Sequence, residues 1–497
     1  MAVLGLDVGS SGCKCTLLDE NGSPLGAAHH EYGTPAGAME LHPDLIWDGV
    51  QSVLRQIAVI AREQHADIKA LCVSSFGETF VLLDEQDRVL MPAMMYTDPR
   101  GIEECALLIE RFGLSNMAAR TGAFPHPMFS LPKWMWVAAH RSEIWKQVAR
   151  ICLIGDYVLY RLGHVTAIDA SLAARSMALD IRQLDWDIEL LDIVGLRKKQ
   201  LSQVVPSGTL VGEVSSDIAS DLGLPAHIKL VTGGHDQVCA ALGAGVIRPG
   251  IAVDGMGSVE CLTPAFLSPL PVDDTTMQYA TIPHGVPGMY VTYAFNFTGG
   301  AMLKWFRDTL TPELHQQGGD TYELLGWQAE KLGDKPTDLL VLPHFAGAGT
   351  PSMDVSAVGA MVGLTLQTTR PEMYRAVMEG TAMEMRYNMD CLEQMGITLE
   401  EIHVVGGGAK SPLWMQIKAD ICQKPITTLH VDEAGTMGTA LLAWIALGRY
   451  PSIEAAAQAM VRPKTTYWPR PEMAAAYGKR YQRYRRMQLH VKAIWEG

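Results

Sequence analysis

The chain has 497 residues, 48% of them hydrophobic and 19% charged, which excludes a disordered or fibrous protein. That length leaves room for roughly two to four domains with sizeable cores. Lys and Arg total 40 against 54 Asp and Glu, a net charge of −14. This speaks against nucleic acid as a partner, because bulk binding needs a concentrated positive surface. It leaves small anions open, since a local site can oppose the global sign.

The first seven residues, ending at Asp7, carry no basic stretch and do not read as a secretory leader. No apolar run approaches the roughly 20 residues of a membrane span; the longest, over 441–447, is far shorter. The nine cysteines, an odd number, lie mostly in apolar runs such as Leu71-Cys72-Val73. Buried free thiols in a reducing cytosol fit them best, so a cytoplasmic protein is expected. Cys13-x-Cys15 lacks a second ligand pair at zinc spacing.

In chain order, residues 3–8 read as an apolar strand around Asp7, Gly9-Ser10-Ser11-Gly12 as a tight turn, and 13–18 as a second strand. A helix follows from His42-Pro43-Asp44, with Leu45, Ile46, Val50, Val53, Leu54, Ile57 and Ile60 at helical spacing. Short strands are predicted over 68–74 and 79–83. Mixed strands and helices continue, which makes the fold α/β.

The opening pattern recurs at 251–262, where a strand carrying Asp254 runs into Gly255-Met-Gly257-Ser258 and then Cys261-Leu262. Two such hairpins, each opening one half of the chain, point to two similar lobes, with the boundary near 243–250. The segment 471–495, with Lys479, Arg480, Arg483, Arg485 and Arg486, reads as a basic, solvated outer helix.

Four places carry residues suited to chemistry. A Gly/Ser turn lets backbone N–H groups approach phosphate oxygens, so Ser10 and Ser11 can cradle phosphates while Lys14 adds charge. Asp7 at the strand end can hold Mg²⁺, which prefers oxygen ligands and keeps several waters. Alone, this stretch reads first as an ordinary hairpin with an Asp-stabilised turn. Gly257 and Ser258 offer a second turn that would clamp the same phosphates.

In Val231-Thr-Gly-Gly-His235-Asp236-Gln237, an Asp between a strand and a helix is placed to accept a hydroxyl proton, or to cap the helix. In 401–411 a strand enters Gly406-Gly407-Gly408-Ala409, where a flat nucleobase could lie on bare backbone, or the chain simply turns into a helix from about Pro412. A dinucleotide fingerprint is excluded there, because Ser411 stands where its third glycine belongs.

These pieces, in this order, resemble the FGGY carbohydrate kinases, which are part of the larger actin-like ATPase group. Gly359-Ala-Met361-Val-Gly363-Leu364, followed after seven residues by Glu372-Met373-Tyr-Arg-Ala376-Val377-Met378-Glu379, matches one family signature. Met128-Phe-Ser130-Leu-Pro-Lys133-Trp134-Met-Trp136-Val137 matches most of a second, with Ala139 departing where a polar residue is usual. The string Phe-Gly-Gly-Tyr itself is absent, and the stretch 343–351 takes its place.

The resemblance implies two ribonuclease-H-like lobes, 1–245 on the sugar side and 246–497 on the nucleotide side, with ATP, Mg²⁺ and a small carbohydrate in a catalytic cleft between them. It implies Asp236 as general base and Asp7 at the metal. It assigns phosphates to Ser10, Ser11, Lys14, Gly257 and Ser258, and the nucleotide-side helix start to Gly299, Gly300 and Lys304. Gly407, Gly408 and Ala409 would form the adenine shelf, and Glu78, Asp98, Arg100 and Gln237 would contact sugar.

Glu78-Thr79 resembles glycerol kinase, but Gly77 stands where an Arg is usual and Met128 where a Tyr contacts glycerol. Gly77-Glu78 and Asp236-Gln237 likewise depart from the Met-His and Asp-Asn pairs of xylulokinases. Gly77 is expected to open space for a pentulose, hexulose, sugar acid or polyol. A catalytically silent sugar or nucleotide sensor and a non-sugar actin-like ATPase are the competing readings, and a homodimer is one option for the assembly.

Overall fold

The computed structural model describes residues 1–35, 37–272, 277–316, 318–431 and 433–496. Two mixed sheets dominate it. In the first, strands run in the order Leu210–Glu213, Lys229–His235, Ile68–Ser75, Ala2–Val8, Gly12–Asp19 and Pro24–Glu31. Ala2–Val8 pairs antiparallel with Gly12–Asp19 and parallel with Ile68–Ser75, which in turn runs parallel to Lys229–His235.

The second sheet repeats this plan. Ile251–Met256 pairs antiparallel with Glu260–Phe266 and parallel with Glu401–Val405, which runs parallel to Ile426–Leu429. The recurrence read in the sequence is thus a recurrence of strand order. Parallel neighbours need crossover helices, and these cover the sheet faces.

Helix Pro43–Glu63 begins where expected, after His42, and buries Ile46, Val50, Val53, Leu54 and Ile57 against the first sheet. Leu45 points outward instead, one position off that stripe. Helix Arg370–Gln394 is the spine of the second lobe. Its signature residues Arg375 and Glu379 are buried and paired at 3.1 Å, and Glu379 accepts a hydrogen bond from the Thr337 hydroxyl at 2.8 Å. These two signature residues therefore hold the lobe together.

A third core joins the lobes. Helices Asp236–Gly243 and Ala434–Ala446 cross between the sheets, with Val238, Leu242, Leu441 and Trp444 packed on Val3 and Val231 from one lobe and Val253 from the other. The crossing is close enough that a β-carbon at Gly438 would sit 1.9 Å from the carbonyl oxygen of Cys239.

The terminal helix Pro471–Glu496 corrects the sequence reading. Lys479, Arg483 and Arg486 are solvated, but Tyr477, Tyr481 and Tyr484 are buried, and Arg480 donates to the Leu339 carbonyl from a buried position. The tyrosines, three and four residues apart, form an apolar stripe with polar tips that the charge run conceals. All nine cysteines are free and eight are buried, Cys261 being half-buried. Among the described residues, no helix is long and apolar enough to cross a membrane.

Candidate active site

A cavity of about 500 Å³ opens between the lobes. The first hairpin supplies one wall. Asp7 closes its strand opposite Lys14 on one neighbour and Ser74 on the other. The Ser74 hydroxyl donates to the Asp7 carboxylate at 2.6 Å. Burial raises the pKa of Asp7, with the Ser74 hydrogen bond and Lys14 opposing. The turn that follows is closed by the Gly9 N–H donating to the Gly12 carbonyl at 2.9 Å, and Ser10 and Ser11 face the cavity. Lys14 lines it too, tied to Glu433 of the other lobe at 2.9 Å.

The second wall is the mouth of strand Lys229–His235. Asp236 is the first residue of the helix that follows, and its carboxylate accepts the Gln237 N–H at 2.6 Å. Its pKa is raised to about 8, first by burial and then by the negative charge of Asp7. His235 lies 3.2 Å from that carboxylate through Nε2, while its Nδ1 meets the Tyr293 hydroxyl at 2.7 Å. Burial and the nearby Arg175 charge hold His235 neutral. The arrangement is a carboxylate of raised basicity beside a neutral imidazole, in the same cavity as the Gly/Ser turn.

Glu78 and Gln237 also line the cavity. Glu78 is held at φ 67°, an uncommon conformation for a residue with a side chain; its own carbonyl accepts the Ser130 hydroxyl at 2.7 Å. Ser130 comes from the second signature, so that motif shapes the cavity floor. Its Lys133 is buried, donates to the Pro127 and Met128 carbonyls at 2.8 Å, and has its pKa lowered by burial to about 8, against the pull of Asp98 and Glu78.

Asp98 and Arg100, expected at the sugar, are set back from the cavity wall. Asp98 is buried and committed to the Arg100 guanidinium, which also donates to Glu40 at 2.6 Å and lies over the Trp136 ring. The space expected beside Gly77 is filled as well. A β-carbon there would lie 2.7 Å from Cβ and Cγ of Arg175, a residue that no motif in the sequence pointed to.

The remaining predicted residues gather on the second lobe. The N–H of Gly299 donates to the Ser258 carbonyl and that of Gly300 to the Gly257 carbonyl, each at 2.8 Å, which docks helix Gly300–Leu310 on the second hairpin turn. Lys304 is exposed one turn along that helix. Gly407, Gly408 and Ala409 form a short helical turn, with Gly408 against Met256 of the same hairpin. Among the described residues, no group of three or more His, Cys, Asp or Glu side chains is set to hold a metal ion.

The N-terminal domain of the FGGY family of carbohydrate kinases matches residues 2–243, and its C-terminal domain matches residues 260–447. The chain belongs to that family. It is an ATP-dependent carbohydrate kinase, a phosphotransferase with an alcohol group as acceptor and a small carbohydrate as substrate. The kinase is 27% identical to a xylulose kinase of Bacillus subtilis, over 99% of this chain and 97% of that one. It is 29% identical to an autoinducer-2 kinase of Klebsiella pneumoniae, over 96% and 91%. The solved structure of a gluconate kinase from Lactobacillus acidophilus superposes with a TM-score of 0.88 at 26% identity, covering 100% and 99%. The family accounts for the paired sheets and the cleft between them.

Proposed function

We propose that Asp236 is the general base of phosphoryl transfer from ATP to a hydroxyl of a ketose, sugar acid or polyol. The observation that carries this reading is the Asp236 carboxyl at a helix start in the cleft, 3.2 Å from His235 Nε2; burial and the Asp7 charge, which raise its pKa to about 8, support it. A sugar hydroxyl is a poor nucleophile until its proton has somewhere to go, and a base titrating near the working pH receives it best. Phosphoryl transfer is otherwise positioning and charge stabilisation. In this reading the lobe boundary lies at 245/246, with the sugar on the first lobe and the nucleotide on the second.

In this reading Ser10, Ser11 and Lys14 from one hairpin, with Gly257 and Ser258 from the other, hold the phosphates. Gly299, Gly300 and Lys304 approach from the adjoining helix, and Gly407, Gly408 and Ala409 receive the adenine. Glu78 and Gln237 contact sugar, with Asp98 and Arg100 bracing that wall.

Asp7 fits Mg²⁺: a single half-buried carboxylate at the cavity with one internal hydrogen bond suits an ion that keeps several waters and takes its other oxygens from phosphates. When bound there, Mg²⁺ would neutralise phosphate charge. The names of the relatives, a xylulose kinase and a gluconate kinase among them, support a substrate of five or six carbons. The free, buried thiols support a cytoplasmic enzyme. A homodimer is the assembly to test by sedimentation.

Sugar-dependent ADP release by the wild type and by Asp236→Asn tests the base. The variant should keep ATP binding and lose about 10²–10⁴-fold in kcat. Near-normal turnover would remove Asp236 from this role.

A further inference from the structure

We infer that Arg175 is a specificity-determining residue which, with Glu78, receives the end of a neutral polyhydroxy substrate, a ketose or polyol, and disfavours sugar acids. The inference rests on the sugar-kinase reading of the cleft and narrows its substrate.

Arg175 follows the short helix Ala170–Ala174 and reaches the cavity through the hollow at Gly77. Its Nε donates to Glu78 Oε1 at 2.6 Å, and its Nη2 donates to the same oxygen. The guanidinium lies 5.0 Å from the Phe129 ring centre and 5.7 Å from that of Tyr293. Both side chains are more than nine-tenths buried, yet both line the cavity. Among the described residues, Nη1 of Arg175 and Oε2 of Glu78 have no hydrogen-bond partner, so the fixed pair offers one donor group beside one acceptor.

Adjacent hydroxyls supply both a donor and an acceptor and would satisfy the two. A carboxylate supplies acceptors only. It would leave Glu78 Oε2 unpaired and set two negative charges together, a costly arrangement in a buried site. The surrounding charge points the same way. Among the described residues, the cavity is lined by the acids Asp7, Glu31, Glu78 and Asp236 and by two permanent cations, Lys14 and Arg175, each already paired with a carboxylate. A substrate carboxylate would meet no uncommitted cation there.

The test measures binding by calorimetry and turnover by coupled assay on neutral ketoses and polyols and on aldonates of equal carbon number. The wild type should prefer the neutral class by about 100-fold in kcat/KM. Arg175→Gln should raise the sugar KM about 10-fold or more and leave the KM for ATP unchanged, a split that general loosening of the fold would not give. Glu78→Gln removes the charge that neutralises the guanidinium and should lower the neutral-to-aldonate ratio about 10-fold. Arg175→Lys keeps the charge if the Gln variant does not fold, and should show the same KM split, since a lysine cannot reproduce the fork.

Wild-type preference for aldonates, or an unchanged sugar KM in both Arg175 variants, would overturn the inference. Tight binding of neutral sugars without phosphate transfer would leave the recognition by Arg175 and Glu78 standing and sink the phosphoryl-transfer reading of the cleft instead.

Discussion

The two hairpins that open the lobes share a sequence pattern and a strand order, yet their aspartates live in different chemistry. Asp7 faces Ser74 and Lys14 across its neighbouring strands; Asp254 faces Val404 and Leu262 at the matching positions. Asp7 keeps a carboxylate at the cavity with one hydroxyl bonded to it. Asp254 is 1% exposed and is clasped, together with Glu260, by Lys418, which is itself 1% exposed. Lys418 comes from helix Pro412–Cys422, which follows the glycine turn 407–410. One hairpin thus presents its acid to the cavity, while the other uses its acid to tie the second hairpin to the helix that follows the glycine turn 407–410. Duplication of a fold conserves topology; the residues around each copy decide the function.

Removing Lys418 should have the largest effect on stability. Lys418→Met strands two carboxylates in the core, where Asp254 Oδ1 and Glu260 Oε2 already lack partners among the described residues. A loss of about 3–5 kcal/mol is expected in denaturant unfolding, because a buried charge left alone is strongly destabilising. A loss below about 1 kcal/mol would erase the contrast between the hairpins. Asp7→Asn should do the reverse. It should cut sugar-dependent turnover by about 10²–10³-fold, as expected when a preorganised charge is lost, and leave the unfolding midpoint equal to or above that of the wild type. Comparable destabilisation by both substitutions would mean that both hairpins are structural.

The smallest effect is a pH dependence. Because the folded-state pKa of Asp236 lies above its unfolded value, the folded chain holds that proton more tightly, and stability falls as pH rises from about 4 toward 8. Asp236→Asn carries no such charge. Its stability should match that of the wild type near pH 4 and exceed it by at least about 1.4 kcal/mol, the equivalent of one pKa unit, at pH 8.5. Melting curves at the two pH values measure the difference, and a constant gap would contradict the buried-base account.

The sequence made the contiguous parts of this site readable. Asp7 with its turn, Asp236 at the end of a strand and the glycine run at 406–408 are legible as local turns, because one short segment builds each, while their roles rest on the family resemblance. The repeated hairpin was legible for the same reason. Arg175 and Lys418 were not. Arg175 meets Glu78 across 97 residues and Lys418 meets Asp254 across 164, and neither lies in a pattern that marks it. The hollow at Gly77 was visible as a missing side chain, but its occupant comes from another element, so the expected open space became a filled one. Asp98 and Arg100 were expected at the sugar from the family resemblance alone. Their mutual pairing, with Glu40 and Trp136, is a tertiary fact that spacing does not carry.

The central claim is that Asp236 takes the proton of the sugar hydroxyl as phosphate is transferred. Single-turnover transfer of the γ-phosphate to a neutral ketose or polyol, in wild type and Asp236→Asn preloaded with ATP and Mg²⁺, tests it directly, with nucleotide occupancy measured in the same samples. Equal occupancy with transfer slowed by about 10²–10⁴-fold in the variant is the predicted result; equal occupancy with equal transfer rates would contradict it.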